Sequence, residues 1–255
     1  MNDIEHELTE DGFLGGRLRL RQPKSGHRAG HDAMLLAAAT AAKPGDRVVD
    51  LGAGVGAAGL AVAKRVGALR LALVEIDERL VALARSNALS NAITAETIAL
   101  DVTSGASAFA AAGLSPDTAD VVLMNPPFND SARHRASPDR TREIAHVAAA
   151  ATLESWVHAA RRILKSGGAL TLIWRADAVA EVLAALDRGF GSLVVLPVHA
   201  DASSPAIRLL VCAVKGGRAP TRIQPALILN DEQGRPRPRV RDVLEGREIL
   251  PLATY

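Results

Sequence analysis

Residues 46–56, Asp46-Arg47-Val48-Val49-Asp50-Leu51-Gly52-Ala53-Gly54-Val55-Gly56, decide how this chain folds. An apolar run ending in an acid, then a glycine turn, then an Ala/Leu/Val-rich stretch to about Val66 read as strand, turn and helix. That order is the first half of a nucleotide-binding βαβ unit. Glycines allow the backbone to approach a ligand closely because no Cβ intervenes, so Gly52, Gly54 and Gly56 are candidate ligand contacts. The next apolar run, Leu69 to Val74, leads into Glu75, where an acidic residue grips a ribose diol. A third, Glu96 to Leu100, ends in Asp101, suitably placed for the amino group of an adenine ring. Each carboxylate taken singly also fits a helix N-cap or a solvated loop. Three acids at successive strand ends point instead to a nucleoside-like ligand.

Two ligand classes compete for such a turn. Gly52, Gly54 and Ala57 satisfy the G-x-G-x-x-A variant of the dinucleotide fingerprint, which would make the chain a nicotinamide or flavin oxidoreductase. Asp50 argues against this, because its carboxylate would repel a pyrophosphate. The same carboxylate suits the methionine ammonium of S-adenosylmethionine, or can orient the loop.

The fourth strand-like run, Asp120 to Met124, ends in Asn125-Pro126-Pro127-Phe128, a tetrapeptide that hydride transfer has no need for. An amine conjugated to a heteroaromatic ring or a carbonyl is a poor nucleophile because its lone pair is delocalised. The amide oxygen of Asn125 and the carbonyl of Pro126 can accept the two hydrogens of such a nitrogen and turn its lone pair outward. Consecutive prolines fix φ and remove N–H donors, so the loop presents its carbonyls rigidly. Phe128 supplies a face for a planar group. Asn125, Pro126 and Phe128 are therefore the candidate catalytic residues, and Asn125 is also a candidate cofactor contact.

Asp50 to Gly56, Glu75, Asp101 and Asn125 to Phe128 resemble, in order and spacing, the class I S-adenosylmethionine-dependent amino-methyltransferases. Residues 22–37, QPKSGHRAGHDAMLLA, and 208–216, RLLVCAVKG, are similar to the bacterial tRNA1(Val) adenine-37 exocyclic-amine methyltransferase family. The resemblance implies a Rossmann-like class I α/β fold: a seven-stranded, mostly parallel sheet with helices on both faces and an antiparallel seventh strand between the fifth and sixth. It implies S-adenosyl-L-methionine as cofactor, held by Asp50, the Gly52 to Gly56 turn, Glu75, Asp101 and a lid segment bearing Asp32. It implies adenine in tRNA as acceptor, with an rRNA base or a protein glutamine as alternatives. Many relatives carry Tyr where Phe128 stands, which keeps stacking and loses a hydroxyl. From the residues alone, Asp32 equally fits an N-cap for a helix over Ala33 to Ala42.

Composition sets bounds around this reading. A chain of 255 residues, 48% hydrophobic, can bury a full α/β core without metals or disulfides. The expected division is an N-terminal strand and helix extension over residues 1–43, a methyltransferase domain over 44–216, and a C-terminal extension over 217–255. The single cysteine, Cys212, lies in an apolar strand-like run, which fits a reducing compartment. Neither a signal-peptide core nor an apolar stretch long enough to span a bilayer is present, so a cytoplasmic protein without a membrane partner is expected. The seven histidines show no metal-ligand spacing, and no metal is expected.

Net charge is only +2, but arginines cluster. Arg17, Arg19, Arg21, Lys24 and Arg28 precede the glycine turn, Arg133, Arg135, Arg140 and Arg142 follow the Pro-Pro loop, and Arg235, Arg237, Arg239 and Arg241 lie near the C-terminus. If they surround one cleft they form a phosphate-binding rim for RNA, with Arg28, Arg133, Arg135 and Arg140 as the candidate contacts; otherwise they are scattered solvated charges. Later expectations are a polar loop over Ser131 to Thr141 that orders on substrate binding, and a long helix over Ile144 to Leu164. A Lys165-Ser166-Gly167-Gly168 turn then leads to a fifth strand over Ala169 to Trp174.

Overall fold

A computed structural model describes residues 7–25, 28–127 and 138–254, the side chains of 138–149 and of 254 excepted. Phe128, Arg133 and Arg135, named above as site residues, lie outside the described residues, as does the side chain of Arg140.

The chain opens with an antiparallel hairpin, β1 (Leu8–Phe13) and β2 (Leu18–Pro23). In β2 residues alternate between core and solvent: Leu18 and Leu20 are fully buried while Arg19 is exposed. Helix α1 (His31–Ala39) follows, and its buried residues run continuously from Ala33 to Ala39. It has no polar face because it lies between the sheet and the C-terminal segment.

Then come β3 (Arg47–Leu51), α2 (Ala57–Val66), β4 (Arg70–Glu75), α3 (Glu78–Ser90), β5 (Ala95–Ala99), α4 (Ala106–Ala111) and β6 (Ala119–Met124). After them are α5 (Pro138–Ile163), β7 (Leu164–Arg175), α6 (Val179–Leu186), β8 (Phe190–His199) and β9 (Ala206–Lys215). The seven principal strands are ordered β5-β4-β3-β6-β7-β9-β8, all parallel except β9, which runs antiparallel between β7 and β8. This is the Rossmann-like class I methyltransferase arrangement. Two short strands, β10 (Arg222–Ile223) and β11 (Leu227–Ile228), pair with β8 and bring the sheet to nine.

Two cores lie on opposite faces. One gathers Leu73, Leu123, Ile173 and Leu210 with residues of α1, α2 and β2. It also takes in Val240 and Val243 of α7 (Pro238–Leu244), and Leu250. The three segments expected from sequence thus share one core. The other packs Leu51, Met124, Trp174 and Leu209 against Phe109 of α4 and the buried side of α5.

Three details differ from the sequence reading. Helix α5 starts at Pro138, inside the stretch expected to be a loop, so only residues 131–137 of that stretch fall outside the described residues. The expected turn at Lys165 to Gly168 is absorbed into β7 as an irregularity, where the register on β6 passes from Ala119↔Leu164 to Val121↔Ala169 and Gly167 takes φ +78. Asp32 is not an N-cap: Gly30 holds that position and Asp32 lies in the first turn. Among the described residues no helix is long and apolar enough to cross a membrane, and no group of three or more His, Cys, Asp or Glu could hold a metal ion.

Candidate active site

The glycine turn joins the C-terminal end of β3 to α2 and is held from three directions. Asp50, the fourth residue of β3, is buried at 2% exposure, and its Oδ2 accepts a hydrogen bond from the Gly59 N–H at 2.8 Å. Burial pushes this carboxyl up to about 7, with the Glu75 charge adding to the rise and the Gly59 N–H opposing it. Gly59, unremarked in the sequence, is required here: a Cβ would stand 3.0 Å from Asp50 Oδ2 and 2.6 Å from a Leu73 methyl.

Glu75, at the end of β4, accepts from the Gly54 N–H at 2.9 Å through Oε2, and from the N–H groups of Ile76 and Asp77 through Oε1. Asn87, fully buried on α3, is the third anchor. Its Nδ2 donates to the carbonyls of Val55 and Arg21, and its Oδ1 accepts from the Arg21 N–H at 2.8 Å. One amide thereby ties the turn to the hairpin. An Asn in mid-helix, with Asn91 one turn on accepting from the Arg19 N–H, was the available sequence signal.

Gly52, Gly54 and Gly56 all have positive φ, at +71, +56 and +88. They serve different ends. A Cβ on Gly52 would lie 2.2 Å from Cη2 of Trp156, so this glycine makes room for an indole delivered by α5. A Cβ on Gly54 would meet nothing within 4 Å, so its backbone borders open space.

That space is a cavity of 380 Å³ lined, among others, by Asp50, Gly52, Gly54, Asp32, Arg28 and Asn125. Asn125 stands immediately after β6, and the β3–β6 register of Leu51 on Met124 sets it beside Gly52. Its Oδ1 is buried and has no hydrogen-bond partner among the described residues, an acceptor of the kind that normally finds one.

Not every expected residue reaches this wall. Gly56, Glu75, Asp101 and Pro126 do not line the cavity. Glu75 acts through the backbone it holds. Asp101 Oδ1 accepts from the N–H and Oγ1 of Thr103, closing its own turn. Among the described residues, four of the expected rim arginines make contacts elsewhere. Arg17 donates to the carbonyls of Leu14, Glu245 and Gly246, while Arg19, Arg235 and Arg239 pair with Glu10, Asp231 and Glu248. Arg28 does line the cavity, fixed by Asp11 at 2.7 Å and by the Pro23 carbonyl. Arg208, given no site role in the sequence reading, lines it too and donates through Nε to Asp32 at 2.9 Å.

The family model of the methyltransferase small domain matches residues 28–200. The chain belongs to this family. It is 34% identical to an Agrobacterium tumefaciens protein described as a predicted O-methyltransferase, over 86% of this chain and 98% of that one, with a TM-score of 0.72. It is also similar to two proteins named tRNA1(Val) (adenine(37)-N6)-methyltransferase. The Porphyromonas gingivalis protein is 28% identical over 67% of each chain, and the Pedobacter heparinus protein 25% identical over 82% of this chain and 86% of that one. A Thermus thermophilus 16S rRNA N2 G1207 methyltransferase shares the fold at 20% identity, over 82% of this chain and 50% of that one, with a TM-score of 0.56.

The methyltransferase uses S-adenosylmethionine, and its residues fit that cofactor. The open backbone at Gly54 leaves room for it, the Asp50 carboxylate suits its ammonium, and the buried acceptor at Asn125 adjoins both. Bound there, the cofactor supplies an electrophilic methyl group on a sulfonium leaving group. The thiol of Cys212, pushed up to about 11 by burial, takes no part.

Proposed function

We propose that the enzyme methylates the exocyclic amine of adenine in tRNA, acting in the cytoplasm. The observation that carries this reading is Asn125, which lines the cavity together with the glycine turn and whose buried amide oxygen has no partner among the described residues. A buried acceptor lacking a donor costs about 1–3 kcal/mol, and an amine hydrogen would remove that cost when the acceptor base enters. The Pro126 carbonyl, next along the chain, would take the second hydrogen. With both hydrogens held, the nitrogen lone pair is freed from the ring and aimed at the methyl donor, and the protein's contribution is alignment rather than proton removal.

The amine reading is favoured over a hydroxyl acceptor by the same side chain. A hydroxyl needs a base to take its proton, and a carboxamide is not one. The adenine-37 activity named for the two curated relatives supports the choice of nucleobase.

The test uses tRNA and rRNA isolated from a strain deleted for the gene. Purified protein with labelled S-adenosylmethionine should place N6-methyladenosine in the tRNA fraction, as read by nucleoside mass spectrometry. Incorporation into rRNA or protein alone would refute the acceptor assigned here.

A further inference from the structure

S-adenosylmethionine carries two opposite charges at its methionine end, an ammonium and a carboxylate, and a site that takes it out of water has to match both. Among the described residues, the charged side chains lining the cavity are Arg28, Asp32, Asp50 and Arg208, with His31 as a further titratable group. Asp32 and Arg208 pair with each other at 2.9 Å. Asp50 suits the ammonium. Arg28 is then the cation with no anion opposite it on the wall, and the carboxylate is the cofactor charge still to be met. Asp11, the acid that does pair with Arg28, does not line the cavity.

Arg28 is held from behind by the N-terminal hairpin. Its Nη1 donates to the Pro23 carbonyl and its Nη2 to Asp11 Oδ2, both at 2.7 Å. The same Asp11 oxygen accepts from Thr9 Oγ1 and from Gln22 Nε2, both at 2.8 Å. Gln22, only 1% exposed on β2, uses its Oε1 to accept from the Ala29 N–H at 2.9 Å. One buried amide thus fixes both the acid that orients the guanidinium and the backbone next to Arg28. The two bonds to the hairpin use two of the five guanidinium N–H groups, which leaves donors for a second carboxylate. A guanidinium oriented before its ligand arrives loses little freedom on binding, and its fork matches a carboxylate.

We propose that Arg28 binds the carboxylate of S-adenosylmethionine, with Asp11 and Gln22 as the positioning residues that hold its guanidinium at the cavity wall. Arg28 thereby passes from the expected RNA rim to the cofactor site. The assignment holds whichever acceptor is methylated.

The test is calorimetric titration of the full chain with two ligands. One is S-adenosylhomocysteine; the other is 5′-deoxy-5′-(3-aminopropylthio)adenosine, which keeps the adenosine and the ammonium and lacks the carboxylate. Wild type should prefer S-adenosylhomocysteine by on the order of tenfold to a hundredfold. Arg28→Gln should lose most of that preference by weakening S-adenosylhomocysteine alone. Arg28→Lys, which keeps the charge without the fork, should retain part of it, and Asp11→Asn should reduce it less than Arg28→Gln does. Binding of the decarboxylated ligand shows that each variant is folded. Equal weakening of both ligands in Arg28→Gln would refute the proposal, leaving Arg28 as a support for the hairpin. Loss of the preference in Arg208→Gln but not in Arg28→Gln would also refute it, giving the carboxylate to Arg208. Wild type binding both ligands equally would overturn it as well. So would unchanged S-adenosylhomocysteine affinity in Arg28→Gln with a shallower salt dependence of tRNA binding, which would return Arg28 to phosphate contact.

Discussion

Asp50 makes the free protein's stability depend on pH in a window where ordinary aspartates are silent. Its carboxyl is pushed from 3.8 to about 7 by burial, so the folded chain retains a proton that the unfolded chain releases. A folded-state pKa above the unfolded value gives stability that is complete below pH 3.8 and lost as pH rises, with the loss ending near pH 7. About three units at 1.36 kcal/mol each put the loss on the order of 4 kcal/mol. Because the side chain is 2% exposed, solvent screening reduces this little. Carboxyls whose values are lowered, such as Asp11 through its Gln22 and Thr9 partners and Asp120 through Lys165, act oppositely but below their unfolded value of 3.8, outside the window. Asp50→Asn keeps an acceptor for the Gly59 N–H and removes the titration. Urea unfolding from about pH 4.5 to pH 7.5 should show the variant gaining on wild type by several kcal/mol as pH rises. A stability difference that stays flat across that range would refute the burial argument.

Cofactor binding should expose the same proton. If the Asp50 carboxylate faces the methionine ammonium, S-adenosylhomocysteine binding near pH 6 should release a proton, seen as a binding enthalpy that varies with buffer ionisation enthalpy and absent in Asp50→Asn. Gly52→Ala adds a Cβ at 2.2 Å from the Trp156 ring and a residue at φ +71, and should lower stability by about 2–4 kcal/mol in calorimetric melting. Combining it with Trp156→Leu should recover part of that loss. Asn87→Ala removes three hydrogen bonds from a fully buried site and should destabilise by roughly 2–4 kcal/mol in urea titration. Asn125→Ala should leave S-adenosylhomocysteine affinity near wild type while single-turnover methyl transfer falls by about a hundredfold or more; wild-type turnover would remove the acceptor role.

The features legible in the sequence are those encoded over a few residues. The strand, glycine turn and helix around Asp50, and the strand ending before Asn125, follow from local period and punctuation. What escaped depends on contacts distant in sequence. Gly52 was read as a ligand approach and does line the cavity, but that its missing Cβ also makes room for Trp156 on α5 could not be read locally. Asp32 fitted an N-cap by residue type, but its partner Arg208 comes from a strand 176 residues on, and a lone Asp carries no record of which cation it meets. The arginine clusters were dense enough to suggest a rim. Clustering along the chain could not reveal that Arg17 is spent on the C-terminal carbonyls, nor that two isolated arginines, 175 and 208, would become neighbours through β7–β9 register.

The placement of the candidate site residues is a consequence of strand register. The glycine turn is fixed to β3, β4 and α3 through Asp50, Glu75 and Asn87, so its position follows the sheet and not a free loop. Asn125 is placed by β6, whose Met124 pairs with Leu51 on β3. The separation of the glycine turn and Asn125 is thus set by backbone hydrogen bonds between adjacent parallel strands, the fixed geometry that the proposed amine transfer requires. Side-chain alternation makes this unforgiving. Leu123 packs on the α1 face and Met124 on the α5 face, so a one-residue slip of β6 would place Asn125 on the wrong side of the sheet and expose core residues with it. The apolar alternation that builds the two cores therefore also fixes where Asn125 leaves the sheet, half-buried beside Gly52.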